Sequence, residues 1–112
     1  MTLREKQSLF AAHVAMLILH AVEMGYEVTF GDAYRSPEEA SRLGALGLGI
    51  ANSLHTKRLA IDLNLFRDGE YLPTTDSHRQ LGEWWETQHA LARWGGRFGD
   101  GNHYSFEHEG VK

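Results

Sequence analysis

The sequence predicts a single α+β domain, over residues 1–112, in which helices flank a small antiparallel sheet. Apolar residues recur at spacings of three and four near the N-terminus, as in an amphipathic helix. Residues 59–66 instead alternate at period two, as in a strand with one buried face. An Asp-Gly pair at residues 68–69 then favours a hairpin, which joins antiparallel strands. A chain of 112 residues, 42% of them hydrophobic and 23% charged, suffices for one domain with a modest core.

The first helix is predicted over residues 2–24. Its apolar face carries Phe10, Val14, Leu17 and Ala21, and Gly25 is suited to ending it. His13 and His20 lie on one face of this helix, but they are about 10 Å apart along its axis. They are therefore too far apart to share a metal ion, and we expect both to be surface or packing residues.

A strand is predicted over residues 27–34, with Val28 and Phe30 on its apolar side. Arg35 follows at the end of this strand. Taken alone, Arg35 is typical of a surface residue where a strand passes into a loop. A guanidinium can also form paired hydrogen bonds with a substrate carboxylate, or stabilise a developing oxyanion.

A second helix is predicted from Pro37 to Leu43, because Ser36 suits the N-cap and proline favours the first helical position. Residues 43–50 contain three glycines and predict a flexible loop. The glycine spacing fits neither a P-loop nor a dinucleotide-binding fingerprint.

The strand at residues 59–66 places an acidic side chain on its outer face. One face of the strand carries Leu59, Ile61, Leu63 and Leu65, and the other carries Ala60, Asp62, Asn64 and Phe66. Asp is depleted in strands, so Asp62 needs a reason to be there, and its face predicts that it projects toward a groove. A turn over residues 67–70 and a returning strand at residues 71–72 are expected to follow.

A third helix is predicted from Ser77 to Ala92, with a cap from residues 74–76. Trp84 and Trp85 are adjacent and cannot both face inward, so we expect one in the core and the other at the border of the groove. His78 and His89 are expected to be solvated residues of this helix.

Four residues from two separated segments have the composition of a catalytic metal site. His55, Asp62 and His103 offer two imidazoles and a carboxylate as ligands, and Asp100 offers a spare carboxylate. A catalytic zinc site uses three protein ligands and leaves a fourth position open. A carboxylate next to that position can act as a general base. Residues 100–103 are also compatible with a simple polar turn.

Chain geometry requires a turn between the first two of these residues. His55 and Asp62 are seven positions apart, which is about 23 Å along a strand and about 10 Å along a helix. Ligands of one zinc ion lie only a few ångström apart, so residues 56–58 must reverse the chain. His108 is a nearby alternative ligand, but strand parity places it across the strand from His103.

Composition excludes several other classes of protein. A net charge of −4 argues against a nucleic-acid partner, which would select for a basic face. The chain has no cysteine, so neither disulfides nor thiolate metal clusters are available. The apolar stretch 14–22 is too short for a membrane span. The N-terminus lacks the features of a secretory signal, so we expect a protein that is made in the cytoplasm and either stays there or is released by a separate route. We also expect a monomer.

The spacing of these motifs resembles that of zinc peptidases of bacterial cell walls. The pattern Ser-x-His-x(6)-Asp, with an acidic residue three positions before a second His, occurs in D-alanyl-D-alanine carboxypeptidases and dipeptidases (VanY-like and VanX-like). It also occurs in phage endolysins that are L-alanyl-D-glutamate peptidases. The matching residues here are Ser53, His55, Ala60, Asp62, Asp100 and His103, with Tyr34-Arg35-Ser36 upstream and Phe106-Glu107 downstream. The resemblance covers residues 28–107.

Two positions depart from the family pattern. Arg58 stands where the family often has Gly, which implies a somewhat different loop or an extra charge at the groove. Two residues separate His103 from Phe106-Glu107, whereas many members read His-Phe-Glu.

The resemblance implies a fold of the hedgehog/D-Ala-D-Ala peptidase type and a zinc ion bound by His55, Asp62 and His103. It also implies Asp100 as general base, Arg35 as the residue that steadies the substrate or oxyanion, and Ser53 as a residue that orients a ligand or binds substrate. The implied substrate is the peptide stem of peptidoglycan, cleaved at L-alanyl-D-glutamate by an endolysin that reaches the wall through a separate pore-forming protein.

Three alternatives remain open at this point. The nearest is a D-alanyl-D-alanine carboxypeptidase, because the loops at residues 43–52 and 67–76 would decide the bond that is cleaved. Some relatives are binding modules with little activity, although these are marked by loss of the general base. An unrelated domain with coincidental histidines would bind no zinc.

Overall fold

The computed structural model describes residues 1–112 and has the predicted α+β architecture. Its three helices are α1 (Leu3–Glu23), α2 (Pro37–Ala45) and α3 (Thr75–Glu86). The strands are β1 (Glu27–Phe30), β2 (Ala60–Arg67), β3 (Glu70–Tyr71), β4 (Ala92–Trp94) and β5 (His103–Phe106). Two short 3₁₀ helices, Leu54–Lys57 and Gly95–Phe98, lie next to the candidate site. None of the helices combines the length and apolarity that crossing a membrane requires.

The five strands form one antiparallel sheet with β2 at its centre. The order is β1-β2-β5-β4, and β3 also pairs with β2 through the predicted hairpin. β2 pairs with β1 along residues 63–66 and with β5 along residues 60–62. In that second register Asp62 lies directly opposite His103. Directly opposed residues in an antiparallel pair project from the same face of the sheet, so the sheet itself brings these two side chains together.

The predicted apolar faces form the core. Phe10, Val14, Leu17 and Ala21 are the buried residues of α1, as expected from their spacing. The predicted apolar face of β2 is also buried, and it packs in the same cluster as Trp85 of α3 and Phe106 of β5. The Phe10 ring meets those of Trp85 and Phe106 edge-on, at centroid distances of 6.0 and 5.3 Å. This core leaves the opposite face of β2, with Asp62, free to form a site.

The third helix is shorter than predicted, and the strand after it was missed. α3 begins at Thr75, with Thr74 as its N-cap, and it ends at Glu86 rather than Ala92. Ala92–Trp94 instead pairs with β5 as an edge strand. The Trp85 indole donates a hydrogen bond to the carbonyl of Arg93 at 3.0 Å, which fixes the chain as it returns. Apolar spacing alone could not separate this short strand from a longer helix.

His78 is buried, which contradicts the prediction of a solvated helix residue. Its exposed fraction is 2%, because its face of α3 packs on β5, and its Nδ1 lies 2.7 Å from the hydroxyl of Tyr104. His89 is half-buried and stacks on the ring of Phe106, so it too is a packing residue. Trp85 is the core tryptophan, whereas Trp84 stacks on His20 at 3.8 Å and does not border the groove.

The first strand is also shorter than predicted. β1 ends at Phe30 rather than Tyr34, and Phe30 is 68% exposed. Of the two residues predicted on the apolar side of this strand, only Val28 packs against the core. β1 lies at an edge of the sheet, so the core does not extend over the whole strand.

Burial of His78 predicts a loss of stability in acid. Burial lowers the pKa of His78 from 6.5 to about 4, so the folded protein keeps this side chain neutral where the unfolded chain protonates it. Above pH 6.5 the side chain is neutral in both states and the free energy of unfolding is not reduced. As the pH falls from 6.5 toward 4, the unfolded chain binds a proton that the folded protein does not, and the free energy of unfolding decreases. Each pH unit in that range removes about 1.4 kcal/mol, or about 3 kcal/mol in total. Urea unfolding of the wild type and of His78→Gln, between pH 4 and pH 7, should show a smaller pH dependence in the variant. Equal pH dependence in the two proteins would contradict this assignment.

Candidate metal centre

A capped 3₁₀ turn brings His55 back toward Asp62, as the chain geometry required. The Ser53 hydroxyl accepts a hydrogen bond from the backbone N–H of His55 at 3.2 Å and starts the turn. Arg58 then adopts a left-handed conformation (φ 55°, ψ 38°) and reverses the chain into β2. This is a conformation that glycine adopts more readily than other residues. The turn is therefore of the tight kind that a glycine would suit, although Arg58 occupies the position. The Arg58 guanidinium lies over the Tyr34 ring, 4.0 Å from its centroid, and does not line the metal cavity.

Asp62 is held by strand pairing on one side and by two backbone hydrogen bonds on the other. On one side it pairs with His103 of β5. On the other side its carbonyl accepts from the N–H of Gly31, and its own N–H donates to the carbonyl of Asp32, each at 2.8 Å. Gly31 allows this approach, because a Cβ there would lie only 3.0 Å from the Cβ of Asp62. The carboxylate is thus presented by a backbone with little freedom to move.

The side chains of His55, Asp62 and His103 converge on one point. One carboxylate oxygen of Asp62, Oδ1, lies 3.3 Å from Nε2 of His55 and 3.3 Å from Nδ1 of His103. The three donor atoms all lie within 4.8 Å of one another. Tetrahedral ligands about 2 Å from a metal ion are separated by about 3.3 Å, so these spacings suit a shared ion.

The hydrogen bonding of Asp62 supports the same interpretation. Its Oδ1 is buried and has no hydrogen-bond partner, although it lies between two ring nitrogens. A buried carboxylate oxygen without a partner is costly unless a cation or a donor neutralises it. The residues present therefore fit a bound metal ion.

The second nitrogen of each imidazole decides which atom is available to a metal. Nδ1 of His55 lies 2.8 Å from the carbonyl of Ala33. A carbonyl only accepts, so Nδ1 carries the proton and donates, which leaves the Nε2 lone pair toward Asp62. In His103 the roles are reversed, because Nδ1 faces Asp62 and Nε2 is buried without a partner.

Electrostatics keep the carboxylate of the cluster ionised. Burial alone would raise the pKa of Asp62, but its contacts with His103 and His55 outweigh burial and lower it to about 2. Burial opposes protonation of His55, yet the contact and charge of Asp62 prevail and raise the pKa of that imidazole. A proton and a metal ion therefore compete for the same nitrogen, so metal affinity should fall in acid.

Asp100 lies beside this cluster without belonging to it. Its carboxylate is half-exposed, and its Oδ2 is 3.9 Å from Nδ1 of His103. Burial raises the pKa of Asp100, the neighbouring His103 opposes that effect, and the charge of Asp62 adds to it. A carboxylate with a raised pKa that faces the cavity is suited to accept and release a proton.

The cluster opens into a cavity of about 410 Å³ that contains every site residue predicted from the sequence. Arg35 and Ser53 line it, together with Asp100 and the three candidate ligands. The Arg35 guanidinium forms an ion pair with Asp32 at 2.9 Å, which fixes its direction. Asp32 was not singled out from the sequence, although its position three residues before Arg35 was a usable signal.

The two C-terminal residues whose roles the sequence left open lie outside the site. Glu107 pairs with Arg93 at 3.6 Å, and Nδ1 of His108 lies 2.9 Å from the ammonium group of Lys6. Neither residue lines the metal cavity. His108 is thereby excluded as a rival ligand.

No protein-family model and no curated protein matches this chain. The description of the site therefore rests on its own geometry. That geometry comprises two imidazoles and a carboxylate oxygen around one point, a second carboxylate beside them, and an arginine in the same cavity.

We expect one metal ion per chain, and its binding should depend on His55. His55→Ala removes a buried candidate ligand and should abolish stoichiometric zinc binding, whereas His89→Ala, at a residue that does not line the metal cavity, should retain it. Equilibrium dialysis with metal analysis measures both variants. Full binding by His55→Ala, or its loss in His89→Ala alone, would contradict the ligand assignment.

Gly95 should control the position of His103. A Cβ at this residue would overlap the carbonyl oxygen of Asp100 and lie 2.7 Å from the Cβ of His103. Gly95→Ala should therefore weaken zinc affinity roughly 10-fold to 100-fold, the range for residues that support ligands. Gly49→Ala is a matched control, because its Cβ would make ordinary contacts at 3.5 and 3.6 Å. Calorimetric titration of both folded variants is decisive, and unchanged affinity in Gly95→Ala would sink the prediction.

Proposed function

We propose that this protein is a zinc-dependent peptidase that hydrolyses the peptide stem of bacterial peptidoglycan. The observation that carries the proposal is the partnerless Oδ1 of Asp62, which lies 3.3 Å from a nitrogen of each imidazole in the wall of an open cavity. Three protein ligands next to open space are typical of a catalytic zinc site, whereas structural sites are closed by a fourth protein ligand.

The donor set favours zinc among the common metal ions. Two imidazoles and one carboxylate are ligands that zinc accepts in hydrolytic enzymes, and Ca²⁺ and Mg²⁺ prefer oxygen alone. A bound zinc ion would supply Lewis-acid polarisation of a carbonyl and would acidify a water molecule. Proton transfer and substrate binding would be carried out by side chains of the protein.

Asp100 is the proposed general base and general acid. It would accept a proton from the attacking water and deliver it to the nitrogen of the leaving amine. The raised pKa of its carboxyl makes Asp100 a better proton acceptor than an ordinary aspartate, and the carboxylic acid that results can return the proton to the leaving amine. The position of Asp100 in the same cavity also argues against a binding module that has lost its catalytic carboxylate.

Arg35 and Ser53 have different proposed roles. The Arg35 guanidinium is held by Asp32 and lines the cavity, where it can donate to a substrate carboxylate or to the developing oxyanion. Ser53 starts the turn that carries His55, so its first role is to position that ligand. Replacing Ser53 should therefore affect metal binding, whereas replacing Arg35 should affect catalysis and substrate affinity.

The substrate class rests on the motif resemblance together with the cavity. The spacing Ser-x-His-x(6)-Asp and the later Asp-x-x-His resemble those of cell-wall zinc peptidases, and their residues meet in one place here. Among that group, the proposed activity is that of a phage or prophage endolysin, which cleaves the bond between L-alanine and D-glutamate.

Replacing Asp100 should separate catalysis from metal binding. Asp100→Ala removes the proton acceptor but no ligand, so zinc binding should persist while the rate falls roughly 10²-fold to 10⁴-fold. His55→Ala should lose both properties. Release of new amino groups from purified peptidoglycan measures the rate, and dialysis measures the metal.

Asp76→Ala is the matched control for this experiment. Asp76 is exposed on α3 and pairs with Arg79, so its loss should change neither property. Full activity of Asp100→Ala would show that the base is a different residue.

A further inference from the structure

A second cavity lies between α1 and the central strand, apart from the metal centre. It has a volume of about 410 Å³ and shares no lining residue with the metal cavity. Its floor is formed by four buried residues, Phe10 and Val14 of α1 together with Ala60 and Ile61 of β2. A concave apolar space of this size is in the range of small-molecule binding sites. The proposed peptidase chemistry makes no use of it.

The lining of this apolar cavity includes only two polar side chains. Seven of its nine lining residues are hydrophobic, and the exceptions are Gln7 and Arg58. The Gln7 carboxamide donates a hydrogen bond to the carbonyl of Lys57 at 2.7 Å, which ties α1 to the turn that ends at Arg58. Arg58 therefore supplies the one charge of the lining, and no carboxylate lines the cavity.

The Arg58 guanidinium is held by an aromatic ring and not by a carboxylate. It lies over the Tyr34 ring, 4.0 Å from the centroid, and none of the ion pairs of the chain involves it. A ring attracts a cation through its face and leaves most of the N–H donors of a guanidinium free. Those donors can form paired hydrogen bonds with the carboxylate of a ligand.

The backbone of Arg58 gives a second reason to expect that its side chain is used. Its φ of 55° and ψ of 38° lie in the left-handed region, where a side chain carries a cost that glycine avoids. Residues held in such conformations cluster at functional sites. The metal cavity does not use this side chain, because Arg58 lines only the apolar cavity.

We propose that the apolar cavity binds a small molecule with an apolar body and one carboxylate. The apolar body lies on the buried floor, and the carboxylate accepts hydrogen bonds from the Arg58 guanidinium. Contact with the floor removes apolar surface from water on both sides, and the single cation selects an acid over neutral or basic molecules of the same shape. This binding site does not rest on the proposed peptidase function, since it uses none of the same residues.

Three molecules of nearly the same shape test the selection by charge. Phenylbutyrate carries a carboxylate on an aromatic body, phenylbutanol is its neutral analogue, and phenylbutylamine is a cation. Calorimetric titration of the full chain should show phenylbutyrate binding about tenfold more tightly than phenylbutanol, as expected for one charge-assisted interaction. Phenylbutylamine should bind more weakly than either, because the Arg58 guanidinium would repel it.

Matched variants assign the binding to this cavity. Ala11→Trp fills the cavity from an exposed position of α1 and should largely abolish binding of phenylbutyrate, whereas Ala12→Trp, at the next exposed position but outside the cavity, should not. Arg58→Gln should make the affinities for the acid and the alcohol equal, and Arg58→Lys should keep the preference. Arg79→Gln, at an exposed arginine of α3 that lines neither cavity, should bind as the wild type does.

Several outcomes would overturn the proposal. Equal affinities of the wild type for the three molecules would do so, as would a preference for the acid that persists in Arg58→Gln. Binding that survives in Ala11→Trp and disappears on zinc chelation would place the carboxylate at the metal centre instead.

The same titrations keep this inference distinct from the proposed function. Acid-selective binding by a protein that cleaves no peptidoglycan would support the apolar cavity and refute the peptidase. Cleavage by a protein that binds none of the three molecules would do the reverse.

Discussion

The contact on which the site depends is the pairing of Asp62 with His103 across two antiparallel strands. Because the residues are directly opposed, their side chains leave the sheet on the same face and meet without help from a loop. His55 then has only to approach from a short 3₁₀ turn, whose start is fixed by Ser53 and whose end is fixed by the left-handed conformation of Arg58. The cluster is thus built from two paired strands of the sheet and one capped turn.

The core explains why this cluster faces open space. Leu59, Ile61, Leu63 and Leu65 bury one face of β2 against the helices, so Asp62 has to occupy the other face. Two imidazoles around a buried carboxylate hold its pKa at about 2, and the resulting charge is not satisfied by any hydrogen bond to Oδ1. A buried carboxylate oxygen without a hydrogen-bond partner is costly, and a bound metal ion would neutralise it. The cluster can therefore hold a metal ion.

Much of this could be predicted from the sequence, because its main signals are local. The period-two alternation of β2 predicted which face carries Asp62, and the separation of two ligands by seven positions required the turn at residues 56–58. The third helix was wrong at its end, because a three-residue edge strand is defined by its partner β5 and not by its own pattern. His78 was wrong for a related reason, since a single histidine carries no sign that Tyr104 will cover it. Lys112 lines the metal cavity only because the tertiary fold places it there, and no spacing in the chain indicates this.

The measurement that bears most directly on the account is mass spectrometry of purified peptidoglycan digested with the protein, with a chelator and after zinc is restored. Stem peptides with a new N-terminal D-glutamate, absent with the chelator and regained with zinc, are the predicted result. Release of terminal D-alanine alone would move the activity to a carboxypeptidase. No product in the presence of zinc would contradict the claim that His55, Asp62 and His103 form a catalytic centre for this substrate.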